Sequence, residues 1–217
     1  MKPRICAVIT SNNEPAIRAV EPWVELFEVR IDLIGDDWLS LVSKLNRPWI
    51  ACARSTSEGG KWDESEAGKI EVLTRASELG AAMVDLELAT ANLEQAIPII
   101  KKRSRCLLSV HDLARTPPLN QLKEIVRRQL KSGADVGKVI TTAQTMADNL
   151  TTLELIREFP KNNIISFAMG PLGVTSRIFC PLVGGYLTYA AIEEGKESAP
   201  GQITVAQLRK IYGMVQG

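Results

Sequence analysis

The chain is short of what several broad function classes require. It contains a single histidine, His111, so a histidine-rich metal centre is excluded. Its four cysteines, Cys6, Cys52, Cys106 and Cys180, include no CxxC pair. Three of them lie in apolar, strand-like runs, where a free thiol behaves as a small hydrophobe, so neither a disulfide framework nor a metal site is expected. A net charge of +1 offers no electrostatic footing for nucleic acid or an anionic membrane. No apolar run approaches the length of a membrane span. Met1-Lys-Pro-Arg leads directly into Ile5-Cys-Ala-Val-Ile9, which is not a signal-peptide pattern, and a cytoplasmic location is expected. Thr10-Ser-Asn-Asn13, after the first strand-like run, has no glycine and so no dinucleotide fingerprint.

What is present is an ordinary globular composition, 45% hydrophobic and 24% charged, in 217 residues. Strand-like runs fall at 4–10, 26–32, 49–54, 83–88, 105–111, 134–142, 163–169 and 184–191. Helical segments are predicted over 14–20, 38–45, 64–79, 92–102, 117–131, 146–159 and 205–214, with Gly170–Arg177 as a helix-sized connection between the last two strands. Strands that alternate with helices in this way define an α/β protein with a parallel sheet. Eight such units favour a (β/α)8 TIM barrel as a single domain over residues 1–217, near the lower size limit of that fold. An open doubly wound sheet is the alternative.

In a barrel the chemistry belongs at the C-terminal ends of the strands. The second strand carries Glu28, Arg30 and Asp32 on one face, an implausible set for an apolar core. The third ends in Arg54, followed by Glu58-Gly59-Gly60; the fourth offers Asp85 and Glu87. The fifth ends at His111, the sixth carries Lys138 and the seventh ends at Met169, with Arg177 beyond it. Singly, each has a plain explanation: a solvated strand end, a cap at Asp32 or Asp112, a core histidine bonded to a carbonyl. Their concentration at one mouth is what points to chemistry.

Lys138 is the centre of that set. It shares a face with Val136 and Ile140, so its ammonium is either costly there or placed at a solvent-facing edge. A closed barrel has no edge. Desolvated and near Arg30 or Arg54, the amine is expected to titrate below its usual value, attack a ketone and form a Schiff base. His111, one strand away, is the natural base for the acidified neighbouring C–H and the acid for a leaving group. Glu58 is placed to orient it. Arginines at the mouth suit a planar anion, so a carboxylate substrate is indicated. The residues alone are compatible with a lysine-imine lyase, a class I aldolase on a small oxo acid, or a non-catalytic small-acid-binding barrel.

Five motifs in order, Glu28-Val-Arg-Ile-Asp32, Arg54-Ser-Thr-Ser-Glu-Gly-Gly60, Ser109-Val-His-Asp112, Gly137-Lys138 and Ala199-Pro-Gly-Gln202, resemble type I 3-dehydroquinate dehydratase over nearly the whole chain. The resemblance implies a TIM barrel of the shikimate pathway, usually a homodimer, that converts 3-dehydroquinate to 3-dehydroshikimate and water without a cofactor. It implies an imine at Lys138, proton transfer by His111 and positioning by Glu58. It also implies that Arg177, Ser198 and Gln202 hold the substrate carboxylate. Glu28, Arg30 and Arg54 would meet the ring hydroxyls, Met169 and Tyr189 would pack on the ring, and 195–202 would form a lid. Tyr189, Leu113 and Ala53 stand where that family often has phenylalanine. The first strand begins so early that what closes the bottom of the barrel is left open.

Overall fold

The alternation of strands and helices closes into a barrel. The computed structural model describes residues 3–216. In chain order the strands are β1 (Ile5–Ile9), β2 (Leu26–Arg30), β3 (Trp49–Cys52), β4 (Met83–Glu87), β5 (Arg105–His111), β6 (Val136–Thr142), β7 (Ile164–Met169) and β8 (Thr188–Ala191). Between and after them lie α1 (Glu14–Val20), α2 (Ile31–Ile34), α3 (Trp38–Val42), α4 (Glu66–Glu78), α5 (Leu93–Ile100), α6 (Leu119–Lys131), α7 (Asp148–Glu158), α8 (Val174–Phe179) and α9 (Val205–Gln216). All pairings are parallel, in the order β7-β6-β5-β4-β3-β2-β1-β8. The expected (β/α)8 barrel is what forms.

The register keeps one face of every strand inward. Cys6 pairs with Leu26, Glu28 with Ile50, Cys52 with Asp85, Ser109 with Lys138, and Ile140 with Phe167. Because side chains alternate, these residues share the barrel interior, while Ala7, Phe27, Val29, Ala51, Val84 and Leu108 pack outward under the helices. The helices reach the strands through periodic apolar positions. On α6 these are Leu122 and Val126, with Gln129 next on the same face, all fully buried.

Several boundaries differ from those the sequence predicts. β2 stops at Arg30, so Asp32 lies in α2 and not on the strand; its carboxylate pulls back onto the Arg30 guanidinium at 2.6 and 2.8 Å. β3 stops at Cys52, because the Arg54 carbonyl is taken by the Trp62 N–H at 2.9 Å and not by a strand. β8 starts at Thr188, since Gly184 (φ 105°) and its neighbours turn the chain. The Gly170–Arg177 connection runs into α8, a short helix that extends beyond it to Phe179 and that periodicity alone does not separate from its loop.

Among the described residues β7 and β8 share no ladder. At the lower end the Tyr186 N–H donates to the Ile164 carbonyl at 2.8 Å. Higher up, α8 and Cys180 supply side chains in place of a strand: Ser176 Oγ accepts from the Ala168 N–H (3.0 Å), Cys180 Sγ donates to the Leu187 carbonyl (3.3 Å), and Arg177 donates to the Tyr189 carbonyl (3.5 Å). These contacts answer backbone groups that a strand partner would otherwise satisfy. The bottom is spanned by Tyr186, whose ring lies under Arg4 (4.2 Å) and whose hydroxyl meets Arg105 at 2.6 Å, on the strand opposite β1.

Candidate active site

The residues nominated as catalytic or substrate-binding line one cavity of about 260 Å³ at the C-terminal mouth, whereas Asp32, Asp85 and Glu87 lie outside its lining. Glu28 and Arg30 come from β2, His111 from β5, Lys138 from β6, Met169 from β7 and Tyr189 from β8. Arg54 and Glu58 come from the loop after β3, Arg177 from α8, and Ser198 and Gln202 from the loop after β8.

Lys138 is 4% exposed and donates to Asp85 at 3.0 Å and Glu28 at 3.3 Å, with its ammonium 4.3 Å from the centre of the Tyr189 ring. Here the sequence expectation is overturned. Burial does lower the amine's proton affinity, but the two carboxylates outweigh it, and Lys138 is held above its ordinary value. The resting side chain is an ammonium. Arg54, invoked from sequence as a depressing neighbour, does repel it, but Asp85 stands between them and binds Arg54 at 2.6 Å. Burial also works against Asp85's charge, and the two cations still keep its carboxyl below the usual range.

The backbone beside Lys138 explains the glycine before it. Gln129 reaches in from α6 to donate to the Lys138 carbonyl at 2.9 Å, and a Cβ on Gly137 would stand 2.8 Å from its Oε1. A side chain at 137 would push away the amide that ties the lysine strand to its helix.

Arg54 is the hub of the wall from β3 to β5. It donates to Asp85, to Glu87 (3.2 Å), to Glu58 (3.4 Å) and to Ser109 Oγ (2.7 Å), which itself donates to Asp85. The turn that follows is compressed: Gly59 is left-handed (φ 82°), and a Cβ on Gly60 would lie 2.0 Å from the Arg54 carbonyl. That turn delivers Glu58 Oε2 to His111 Nδ1 at 2.7 Å. Burial, then Arg54, Lys138 and Arg30, depress His111 well below its usual value, so the imidazole is neutral. Burial, helped by Glu87 and Asp85 and opposed by Arg54, pushes Glu58 up to about 7. When Glu58 is ionised it accepts the Nδ1–H and leaves Nε2 as a lone-pair base.

The opposite wall is different in kind. Arg177 is 1% exposed, its Nε and one terminal nitrogen have no partner among the described residues, and it stacks 4.4 Å over Phe167. Burial lowers it to about 10. Nearby, Gln202 Oε1 accepts from the Ser198 N–H (2.8 Å) and hydroxyl (3.2 Å), and the loop is tied down by Gly170 N–H to Pro200 carbonyl at 3.0 Å. A desolvated guanidinium with unused donors can accept a carboxylate partner. Asp112, by contrast, faces its own loop, accepting from the N–H groups of Ala114 and Arg115 as a turn cap.

Asp85 and Ser109 were undervalued from sequence. Both lie on inward positions of buried strands, in register with Cys52 and Lys138, and that alternation was the available signal. Glu28, Cys52 and Asp85 also bring three potential metal-binding atoms within 4.8 Å of one another, but Lys138 and Arg54 already neutralise the carboxylates.

A β/α barrel that presents an amine and a carboxylate-backed imidazole to one cavity has the groups that lysine-imine chemistry needs. The family profile described as Type I 3-dehydroquinase matches residues 5–217. A 3-dehydroquinate dehydratase from Dehalococcoides mccartyi is 40% identical over 98% of this chain and 96% of its own. One from Methanosarcina barkeri is 33% identical over 98% and 94%. The crystal structure of 3-dehydroquinate dehydratase from Geobacillus kaustophilus superposes with a TM-score of 0.87 at 26% identity, covering 100% of this chain and 92% of that one. The chain belongs to the type I 3-dehydroquinase family.

Proposed function

We propose that this chain is a hydro-lyase that removes water from 3-dehydroquinate to give 3-dehydroshikimate, the shikimate-pathway reaction of its relatives. The observation that carries the reading is the shared cavity: Lys138, the His111–Glu58 pair and the unpaired Arg177 all line it. The Lys138 amine, once deprotonated, adds to the C3 ketone. Loss of water from that adduct leaves an iminium, an electron sink that acidifies the C2 protons. His111 Nε2 takes one of them, giving an enamine. The enamine expels the C1 hydroxyl, which leaves as water with the proton from His111, and hydrolysis of the conjugated iminium frees the product and the lysine.

The resting ammonium is compatible with this route. Its proton has to pass on as the ketone arrives, and neutral His111 is a base in the same cavity. Asp85 and Glu28, which hold the ammonium, remain as counter-charges for the iminium. In this reading Arg177, Ser198 and Gln202 receive the carboxylate, and Glu28, Arg30 and Arg54 the ring hydroxyls. Met169 and Tyr189 pack on the ring, and the loop over 195–202 excludes water. Lys138, His111 and Glu58 supply the nucleophile, the base and its orientation, so the reaction is written with no cofactor. A cytoplasmic homodimer is part of the proposal, supported by the family resemblance and testable by light scattering. The mechanism is tested by adding 3-dehydroquinate, reducing with borohydride and mapping the adduct by mass spectrometry. A stable adduct on Lys138 is expected; none, or one on another lysine, overturns it.

A further inference from the structure

α4 contributes a lysine that the reaction above does not use. Lys69, in the first turns of α4, is 2% exposed and does not line the cavity. Its Nζ donates to Glu87 Oε2 at 3.0 Å and lies 2.6 Å from Glu66 Oε1. Glu87 ends β4, and its other donors come from one short stretch: the Ser55 N–H (2.9 Å), the Ser55 hydroxyl (2.8 Å) and Arg54 (3.2 Å). That stretch opens the turn over Thr56–Glu58 that carries Glu58 to His111. A continuous path of charged contacts therefore runs from the outer helix layer to the imidazole.

We propose that Lys69 is a positioning residue for the dehydration: through Glu87 it fixes Ser55 and Arg54, and so sets where, and in which charge state, Glu58 meets His111. The inference rests on the proposed role of the His111–Glu58 pair. The argument is one of geometry and sign. A helix could be joined to a sheet by apolar side chains without desolvating two charges. What an ion pair adds at this place is a cation behind a carboxylate. Glu58 is faced by Arg54 from the end of β3, Glu87 and Asp85 from β4, His111 from β5 and Lys138 from β6. The two carboxylates favour its proton and the two cations disfavour it. Lys69 offsets one of those carboxylates without entering the cavity. Taking away Lys69 should move Glu58 toward its protonated form, which gives His111 the wrong tautomer. Taking away the Glu87 charge should move it the other way.

The test is the pH profile of kcat/KM for 3-dehydroquinate in the wild-type enzyme and in Lys69→Met, Lys69→Arg, Glu87→Gln and the Lys69→Met/Glu87→Gln double variant. The acidic limb should move up in Lys69→Met, costing roughly three- to tenfold in kcat/KM at pH 6, with most of the loss in kcat. It should move down in Glu87→Gln, stay in place in Lys69→Arg, and return between the two single variants in the double. Borohydride trapping at Lys138 should persist in all of them. Two single-variant limbs that stay at the wild-type position, or shift in the same direction, would reduce Lys69 to a packing pair and overturn the inference; so would loss of the adduct in Lys69→Met. Should Lys69→Met fail to fold, Lys69→Gln decides in its place, an upward shift that Lys69→Arg does not share supporting the proposal and an unmoved limb overturning it. A wild-type enzyme that leaves 3-dehydroquinate untouched would instead sink the dehydratase reading beneath it.

Discussion

Arg54 and Arg177 lie on opposite sides of the barrel, one after β3 and one beside β7, and both are almost fully buried. Arg54 is saturated. Burial works against its charge, yet Asp85, Glu58 and Glu87 surround it and hold it well above its usual value. Arg177 has a carbonyl at 3.5 Å, an aromatic face and two nitrogens without partners among the described residues, and burial pulls it down to about 10. A desolvated cation with all its anions in place is structure; one that lacks them is held ready for an anion from outside. In the proposed reaction the two walls divide the work, one carrying the covalent and proton-transfer groups in a balanced charge lattice, the other receiving the substrate carboxylate.

The sharpest break in that comparison comes from Lys138→Ala. It should lower kcat by roughly 10⁴-fold or more and abolish the borohydride adduct, read by steady-state assay and mass spectrometry. His111→Ala, on the same wall, should cost about 10²–10⁴-fold in kcat while the adduct still forms; undiminished turnover would remove its proton-transfer role. Arg54→Met should destabilise the fold by about 3–5 kcal/mol in denaturant titrations, because Asp85 and Glu87 lose a buried partner. Arg177→Met should do the reverse, leaving the unliganded fold nearly as stable. It should raise KM roughly 10- to 150-fold, equivalent to one charged hydrogen-bond set of about 1.5–3 kcal/mol. Equal stability losses in the two variants would erase the distinction.

The smallest effect is the pH dependence. Glu58, raised to about 7, must be ionised to hold His111 in its basic tautomer, whereas His111 itself stays neutral down to well below 6.5. The rate should therefore rise with pH through about 7 and level off above it. Glu58→Gln should remove that limb; a limb that persists would assign it to another group.

Much of this division was legible before any coordinates. The strand count, the parallel class and the inward face of β6 followed from alternation, and Lys138, His111 and Glu58 stood out as polar residues at strand ends. The charge state of Lys138 did not follow. Its sign depends on Asp85 and Glu28 at 3.0 and 3.3 Å, contacts between residues 53 and 110 positions away in the chain. Lys69 was invisible for a similar reason, since a lysine in an amphipathic helix reads as solvated until its partner strand is known. The ends of β2 and β3 lie short of the sequence expectation because Asp32 continues the polar alternation of Glu28 and Arg30, and Ala53 the apolar run of β3, after the backbone has left the sheet.

The gap between β7 and β8 gives ligand occupancy a mechanical meaning. Arg177 holds the Tyr189 carbonyl with one nitrogen and has two others without a partner among the described residues, so in the proposed binding mode the same side chain is both rivet and receptor. A bound anion would lock its rotamer and, with it, the closing seam of the barrel. Amide exchange in β7 and β8 should slow on ligand binding more than in β4 or β5, and Arg177→Met should uncouple the two.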